Sequence, residues 1–166
     1  MSAKRNNSSM QLTRAADYAL RVLTFLATEP ERERALLPDL AKATASPESF
    51  LSKVLQALTK ARMVSSRRGK SGGFILLPRG LQASVKDVIE AIDGPIRLNI
   101  CLSTGRSCPR KNSCVTHPVW IKAKEAMMEV LTSASIADLA GVEDQPASKV
   151  VLPILAAKKS VRKRCK

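Results

Sequence analysis

Aromatic residues, acidic residues, histidine and long apolar runs are all scarce in this chain. Phe, Tyr and Trp make up only 3% of its 166 residues. A core must therefore be assembled from Leu, Val, Ile and Ala, a palette that favours helices. Asp and Glu number 14 against 28 Lys and Arg, leaving a net charge of +14. That balance points to a polyanionic partner, nucleic acid before an anionic membrane surface, and carries no information about fold. No stretch reaches the ~18 apolar residues of a membrane span. The late patch VVLPILAA (Val150–Ala157) is short and interrupted by Pro153. The opening MSAKRNNSSM lacks the apolar segment of a secretory signal, so a cytoplasmic protein with no membrane partner is expected. A Gly-rich cofactor loop, paired carboxylates and a nucleophile–base set are also missing, and an enzyme is not expected.

The patterned part of the chain begins at Met10, after a polar extension (1–9) read as disordered. Leu12, Ala16, Ala19, Leu20, Leu23, Leu26 and Ala27 recur at helical spacing, with Thr13 as N-cap and Pro30 as stop. They predict one helix over about 13–28. A short helix fits Pro38–Ala43, and a three-residue link, TAS, leads to a second helix that starts at Pro47 with Ser46 as its cap. Its expected buried side is Phe50, Leu51, Val54, Leu55 and Leu58. Its other side carries Ser49, Ser52, Lys53, Gln56 and Lys60. Short helix, tight turn and longer helix with a hydrogen-bonding face form a helix-turn-helix pattern.

MVSSRRGKSGGFILLP then reads as a β-hairpin: strand Met63–Arg67, a glycine-rich turn, and strand Phe74–Leu77 stopped by Pro78. Arg67, Arg68 and Lys70 cluster at its tip. A basic hairpin directly after a helix-turn-helix is the wing of a winged helix. SVKDVIEAID (Ser84–Asp93) follows as a short amphipathic helix, with Ser84 as N-cap, Asp87 at its third position and Gly94–Pro95 as its end. A long helix over about 118–139 carries the stripe Trp120, Ala123, Met127, Val130, Leu131 and Ala134. The elements before it suffice to close a core, so this added helix is expected to pair with a second copy. The fold class is thus mostly α with a small β-hairpin wing: a winged helix-turn-helix domain (10–94), a cysteine loop (95–117), a dimerisation helix (118–140) and a basic flexible tail (141–166). The tail's KKSVRKRCK places six cations in nine residues, together with the isolated Cys165.

The segment CLSTGRSCPRKNSCVTHP holds three of the four cysteines and the single histidine. Six residues separate Cys101 from Cys108, five separate Cys108 from Cys114, and two separate Cys114 from His117. Three thiolates and an imidazole can complete a four-ligand shell, and thiolate selects zinc, copper(I) or iron–sulfur clusters. Structural zinc usually uses tight C-x-x-C knuckles. None occurs here, and the wider gaps suit a loop wrapped around a larger object, a cluster. Zinc and redox-active free thiols are the alternatives. Arg106, Arg110 and Lys111 flank the thiols and are expected to lower their pKa.

Together these residues resemble the Rrf-type winged-helix transcription regulators, from about Met10 to Ala140. MQLTRAADYALRVLTFLA looks like that family's opening helix, and SFLSKVLQALTKARMVSSRRGKSGGFILLP looks like its recognition helix and wing. The cysteines lie where the family's cluster ligands lie, and CVTH (Cys114–His117) is most similar to the IscR branch. That branch uses three cysteines and a histidine on a 2Fe–2S cluster. The first gap is one residue longer here. Asp17 occupies the position that, in the nitric-oxide-sensing NsrR branch, supplies a carboxylate from the partner subunit. The resemblance therefore implies His117 as fourth ligand with Asp17 as alternative, and a 2Fe–2S cluster with 4Fe–4S as alternative. It implies a homodimer that binds an operator in double-stranded DNA through Ser49, Ser52, Lys53 and Gln56 on the recognition helix and Arg67, Arg68 and Lys70 on the wing. Operator binding would then respond to iron or cluster supply, redox state or nitric oxide.

Overall fold

A computed structural model describes residues 12–29, 34–67, 69, 72–102 and 108–141. Among the described residues, seven helices and one hairpin follow in the order α1 (Arg14–Thr28), α2 (Leu37–Thr44), α3 (Glu48–Lys60), β1 (Val64–Arg67), β2 (Gly73–Leu76), α4 (Pro78–Leu81), α5 (Val85–Asp93), α6 (His117–Ser133) and α7 (Ile136–Ala140). Short 3-10 turns at Ile100–Leu102 and Lys111–Ser113 lie between α5 and α6. Among the described residues no helix is long and apolar enough to cross a membrane. The tip residues Arg68 and Lys70, the loop residue Arg106, the 1–9 extension and the tail with Cys165 lie outside the described residues.

Helix α1 starts where its cap predicts: Thr13 Oγ1 accepts from the Ala16 N–H at 3.3 Å. The Thr13 hydroxyl in turn donates to Asp93 Oδ1 at 2.7 Å, tying the start of α1 to the end of α5. Ala16, Ala19, Val22, Leu23 and Ala27 form its buried stripe. All but Ala16 join Leu40 of α2, Leu51, Val54, Leu55 and Leu58 of α3, and Val88 of α5 in one aliphatic core. Close packing of such side chains, at about 25 cal/mol per Å² removed from water, is the main force holding the helices together.

The turn between α2 and α3 departs from expectation in its capping. Ser46 does not cap α3. Its hydroxyl shares a 2.6 Å hydrogen bond with Thr44 Oγ1, itself donating to Leu40 O, and both side chains are buried. With that oxygen committed to α2, Pro47 stands at the N-cap, and its carbonyl accepts from the Leu51 N–H at 2.9 Å. Ala45 makes the turn at φ 51, in the left-handed region. Arg62 does the same after α3 at φ 58, a position glycine usually takes. Phe50, expected in the core, is 39% exposed. It sits at the first turn of α3, where its ring meets that of Tyr18 on α1 in a T-shaped contact, with centroids 5.6 Å apart.

The hairpin pairs Val64 with Leu76 and Arg67 with Gly73, and Ala35 adds a bridge to Phe74. Gly73 (φ +136) is required there, since a Cβ would meet Ala35 O at 2.9 Å. Pro78 stops β2 as expected but also begins α4, a single turn the sequence pattern did not reveal. Gly80 of α4 lies directly on the Met63 carbonyl, with no room for a Cβ, while the Leu77 N–H donates to that same carbonyl at 3.0 Å. This contact fixes the base of the hairpin against the end of α3.

The largest correction concerns the final helix. The expected continuous helix over 118–139 is two helices, because Ala134 is extended (φ −102, ψ 118) and Ser135 caps a new start. The Ser135 N–H donates to Asp138 Oδ2 at 2.9 Å and Ser135 Oγ accepts from the Asp138 N–H at 3.1 Å, a capping box. The Ser84–Asp87 box opens α5 in the same way. Ser84 and Ser135 face each other in an antiparallel bridge, with Val85 N–H donating to Ala134 O and Ile136 N–H to Ala83 O, both at 2.9 Å. Helix α7 thereby turns back onto α1, and Ile136 is fully buried in the core. The earlier elements do not close that core alone. In contrast, α6 buries only His117 in the single chain.

Candidate nucleic-acid interface and cysteine segment

The outer face of α3 presents Ser49, Lys53 and Gln56 to solvent, with Ser52 half-buried beside them. The opposite face holds Leu51, Val54, Leu55 and Leu58, so the helix is anchored on one side and free to be read on the other. Arg67 ends β1 and is exposed, and the turn beyond it closes through the Gly72 N–H to Gly69 O at 2.9 Å. Two exposed cations were not singled out by sequence pattern: Arg62, held left-handed between α3 and β1, and Arg79, in α4 at the hairpin base. Both flank the hairpin in sequence, but isolated cations carry no spacing signal.

The candidate ligands Cys101, Cys108, Cys114 and His117 lie among the described residues but are not gathered. Cys101, Cys108 and Cys114 are free thiols, each partly exposed. The turn bearing Cys101 packs against α6, and Cys114 lies just before that helix. Among the described residues, no three His, Cys, Asp or Glu side chains come together as they would around a metal ion. His117 is the first residue of α6 rather than the residue outside it, and its N–H donates to Cys114 O at 3.2 Å. Its Nε2 is buried with no hydrogen-bond partner. An orphaned buried nitrogen of this kind costs free energy unless something binds it.

The Cys114 thiol lies below its ordinary pKa. The main cause is the Thr116 hydroxyl, which shares a 3.2 Å hydrogen bond with its sulfur, assisted by the Thr116 and His117 N–H groups. Of the cations expected to do this, Arg110 contributes, as the smallest of the causes. Asp17 is exposed and paired with Arg21 at 2.8 Å, one turn along α1.

A core-anchored recognition helix after a tight turn, followed by an antiparallel hairpin fixed to its end, defines a winged helix-turn-helix protein. The chain belongs to the Rrf2 family, described as iron-dependent transcriptional regulators, whose model matches residues 12–141. Members of this family are transcriptional regulators, not enzymes. The protein aau3 of Rhizobium meliloti (strain 1021) is 34% identical over 137 residues, covering 82% of this chain and 88% of that one. The HTH-type transcriptional regulator NsrR of Geobacillus kaustophilus is 32% identical, covering 86% of this chain and 97% of its own. The solved structure of T. potens IscR matches with a TM-score of 0.60 at 26% identity, over 81% of this chain and 88% of that one.

Proposed function

We propose that this regulator binds an operator in double-stranded DNA and that an iron–sulfur cluster held by Cys101, Cys108, Cys114 and His117 sets its affinity. The observation that carries this reading is the His117 Nε2, buried and unpartnered, at the start of the helix that Cys114 precedes. Three free thiols supply the soft donors such a group needs. Asp17 is the alternative fourth ligand, but its carboxylate already faces Arg21. The likeness of CVTH (Cys114–His117) to the IscR branch favours 2Fe–2S, with 4Fe–4S as the alternative. When bound, the cluster would supply a centre that responds to iron supply, oxidants or nitric oxide.

The chain's own residues do the rest. Holding Cys101, Cys108, Cys114 and His117 to one point draws the loop onto α6. Helix α6 packs on α5, which packs on α1 and α3, so the constraint reaches the recognition helix through contacts between helices. Val119, Trp120 and Val130 of α6 are exposed and would meet a second copy in a homodimer. Two α3 helices then enter major grooves about one DNA turn apart. Ser49, Ser52, Lys53 and Gln56 read bases, while Arg67, with Arg68 and Lys70, grips phosphates. Such a protein works where the DNA is, in the cytoplasm.

Anaerobic purification with iron and sulfide assays, followed by DNA binding of holo and apo forms, tests the proposal. Iron, sulfide and visible absorption are expected, with different affinities for the two forms. A second reading is a zinc or thiol-redox site without a cluster; its thiol-redox form draws on the separate free thiols and the acidified Cys114. Colourless protein, free of iron even after reconstitution, that still binds a specific site would select it.

A further inference from the structure

We infer that Phe50 is a base-reading residue of α3 that detects the C5-methyl group of thymine. The inference rests on the reading that α3 enters the major groove. Phe50 occupies the first turn of α3 and is 39% exposed, although the pattern of the helix would assign it to the core. Residues at the N-terminal end of a recognition helix are those that reach base edges. At ~100° per residue, Phe50 lies about 60° around the helix from Lys53 and about 40° from buried Val54, at the boundary between the two faces, and its exposure places it on the open side of that boundary.

The ring is also held in place. Tyr18 meets it in a T-shaped contact at 5.6 Å between centroids, and Arg21 lies 6.0 Å over the Tyr18 ring, itself anchored by Asp17 at 2.8 Å. A pre-positioned ring loses little entropy on contact. Its neighbours Ser49 and Lys53 offer only polar groups, and the apolar feature that a major groove presents to such a ring is the thymine methyl. The exposed apolar residues proposed above to pair two copies, Val119, Trp120 and Val130, lie on a different helix, α6.

Binding sites selected from random duplex DNA by the full-length protein provide the probe. Each thymine is then replaced by deoxyuridine, which lacks only the methyl group. At one thymine per half-site the replacement is expected to weaken the wild type about fourfold, the effect of one buried methyl. Phe50→Ala should bind the two probes equally, and Phe50→Leu should keep part of the difference. Phe50→Gln, a good helix former, replaces alanine if that variant is unstable, with the same expectation. Retention of the full difference by Phe50→Ala or Phe50→Gln overturns the inference, as does a wild type indifferent to every replacement. Loss of the dimer in those variants with methyl sensitivity intact overturns it too, assigning Phe50 to contact between copies. If selection enriches no sequence at all, the groove-reading role of α3 falls as well.

Discussion

Ile136→Ala tests whether the chain after α6 returns to the core. Ile136 is fully buried, packed with Val88 of α5 and the α1 stripe. The substitution removes three methyl or methylene groups, worth about 0.8 kcal/mol each in transfer free energy, or roughly 2.4 kcal/mol. The cavity left behind adds to this, so a loss of about 3–4 kcal/mol is expected, with Ile136→Val near 1 kcal/mol. That is a large part of the ~5–15 kcal/mol that usually holds a domain together. Urea unfolding followed by circular dichroism measures it, at one fixed protomer concentration because any dimer would couple stability to concentration. A midpoint shift with unchanged slope is the expected signature. A loss below about 1 kcal/mol for Ile136→Ala would refute the reasoning. The residue would then lie on an exposed helix continuing α6, and the Ser84–Ser135 bridge would contribute nothing.

Gly80→Ala should destabilise by about 2 kcal/mol or more, because its Cβ would strike the pinned Met63 carbonyl; the same unfolding assay reads it. Asp87 and Asp138 sit below their usual value of 3.8, chiefly because the hydroxyls of Ser84 and Ser135 donate to them. The folded state therefore binds fewer protons at these sites. Their contribution is full above the unfolded value and lost as pH falls below 3.8 toward the folded values. Ser84→Ala and Ser135→Ala should flatten that acid limb in a pH titration of stability. Arg67→Ala combined with Arg68→Ala should weaken binding to all DNA sequences and lower the salt slope by about 2 per protomer; unchanged affinity would remove the wing assignment. Cys108→Ala should abolish retention of iron and sulfide without loss of helix content, and a retained cluster would strike that residue from the ligand set.

Local signals placed most elements within a residue or two. Thr13 and Ser84 cap helices as their spacing predicts, and the glycine-rich turn between VSSR and GFIL makes the hairpin. The break after α6 was also legible, since Ser135-x-x-Asp138 is a capping box, but a continuous apolar stripe masked it. Ser46 misled because a serine before a helix can bond forward or back, and a buried Thr44 hydroxyl two residues away decided the direction. Phe50 misled because helical spacing says which residues share a face, while exposure depends on what the neighbouring helix offers there. The candidate ligands were visible as a cluster of soft donors in sequence. The orphaned nitrogen of His117 and the Thr116 bond to Cys114 were not, because both arise from how the segment sits against α6.

Sequence by itself determined the helix-turn-helix, the wing, the charge and the set of soft donors, since each follows from residue chemistry within a few turns of chain. Tertiary structure alone decided that α7 returns to complete the core, that Gly80 locks the hairpin onto α3, and that Phe50 faces outward. These depend on contacts between residues far apart in the chain, and no local pattern encodes the shape of the surface a side chain will meet.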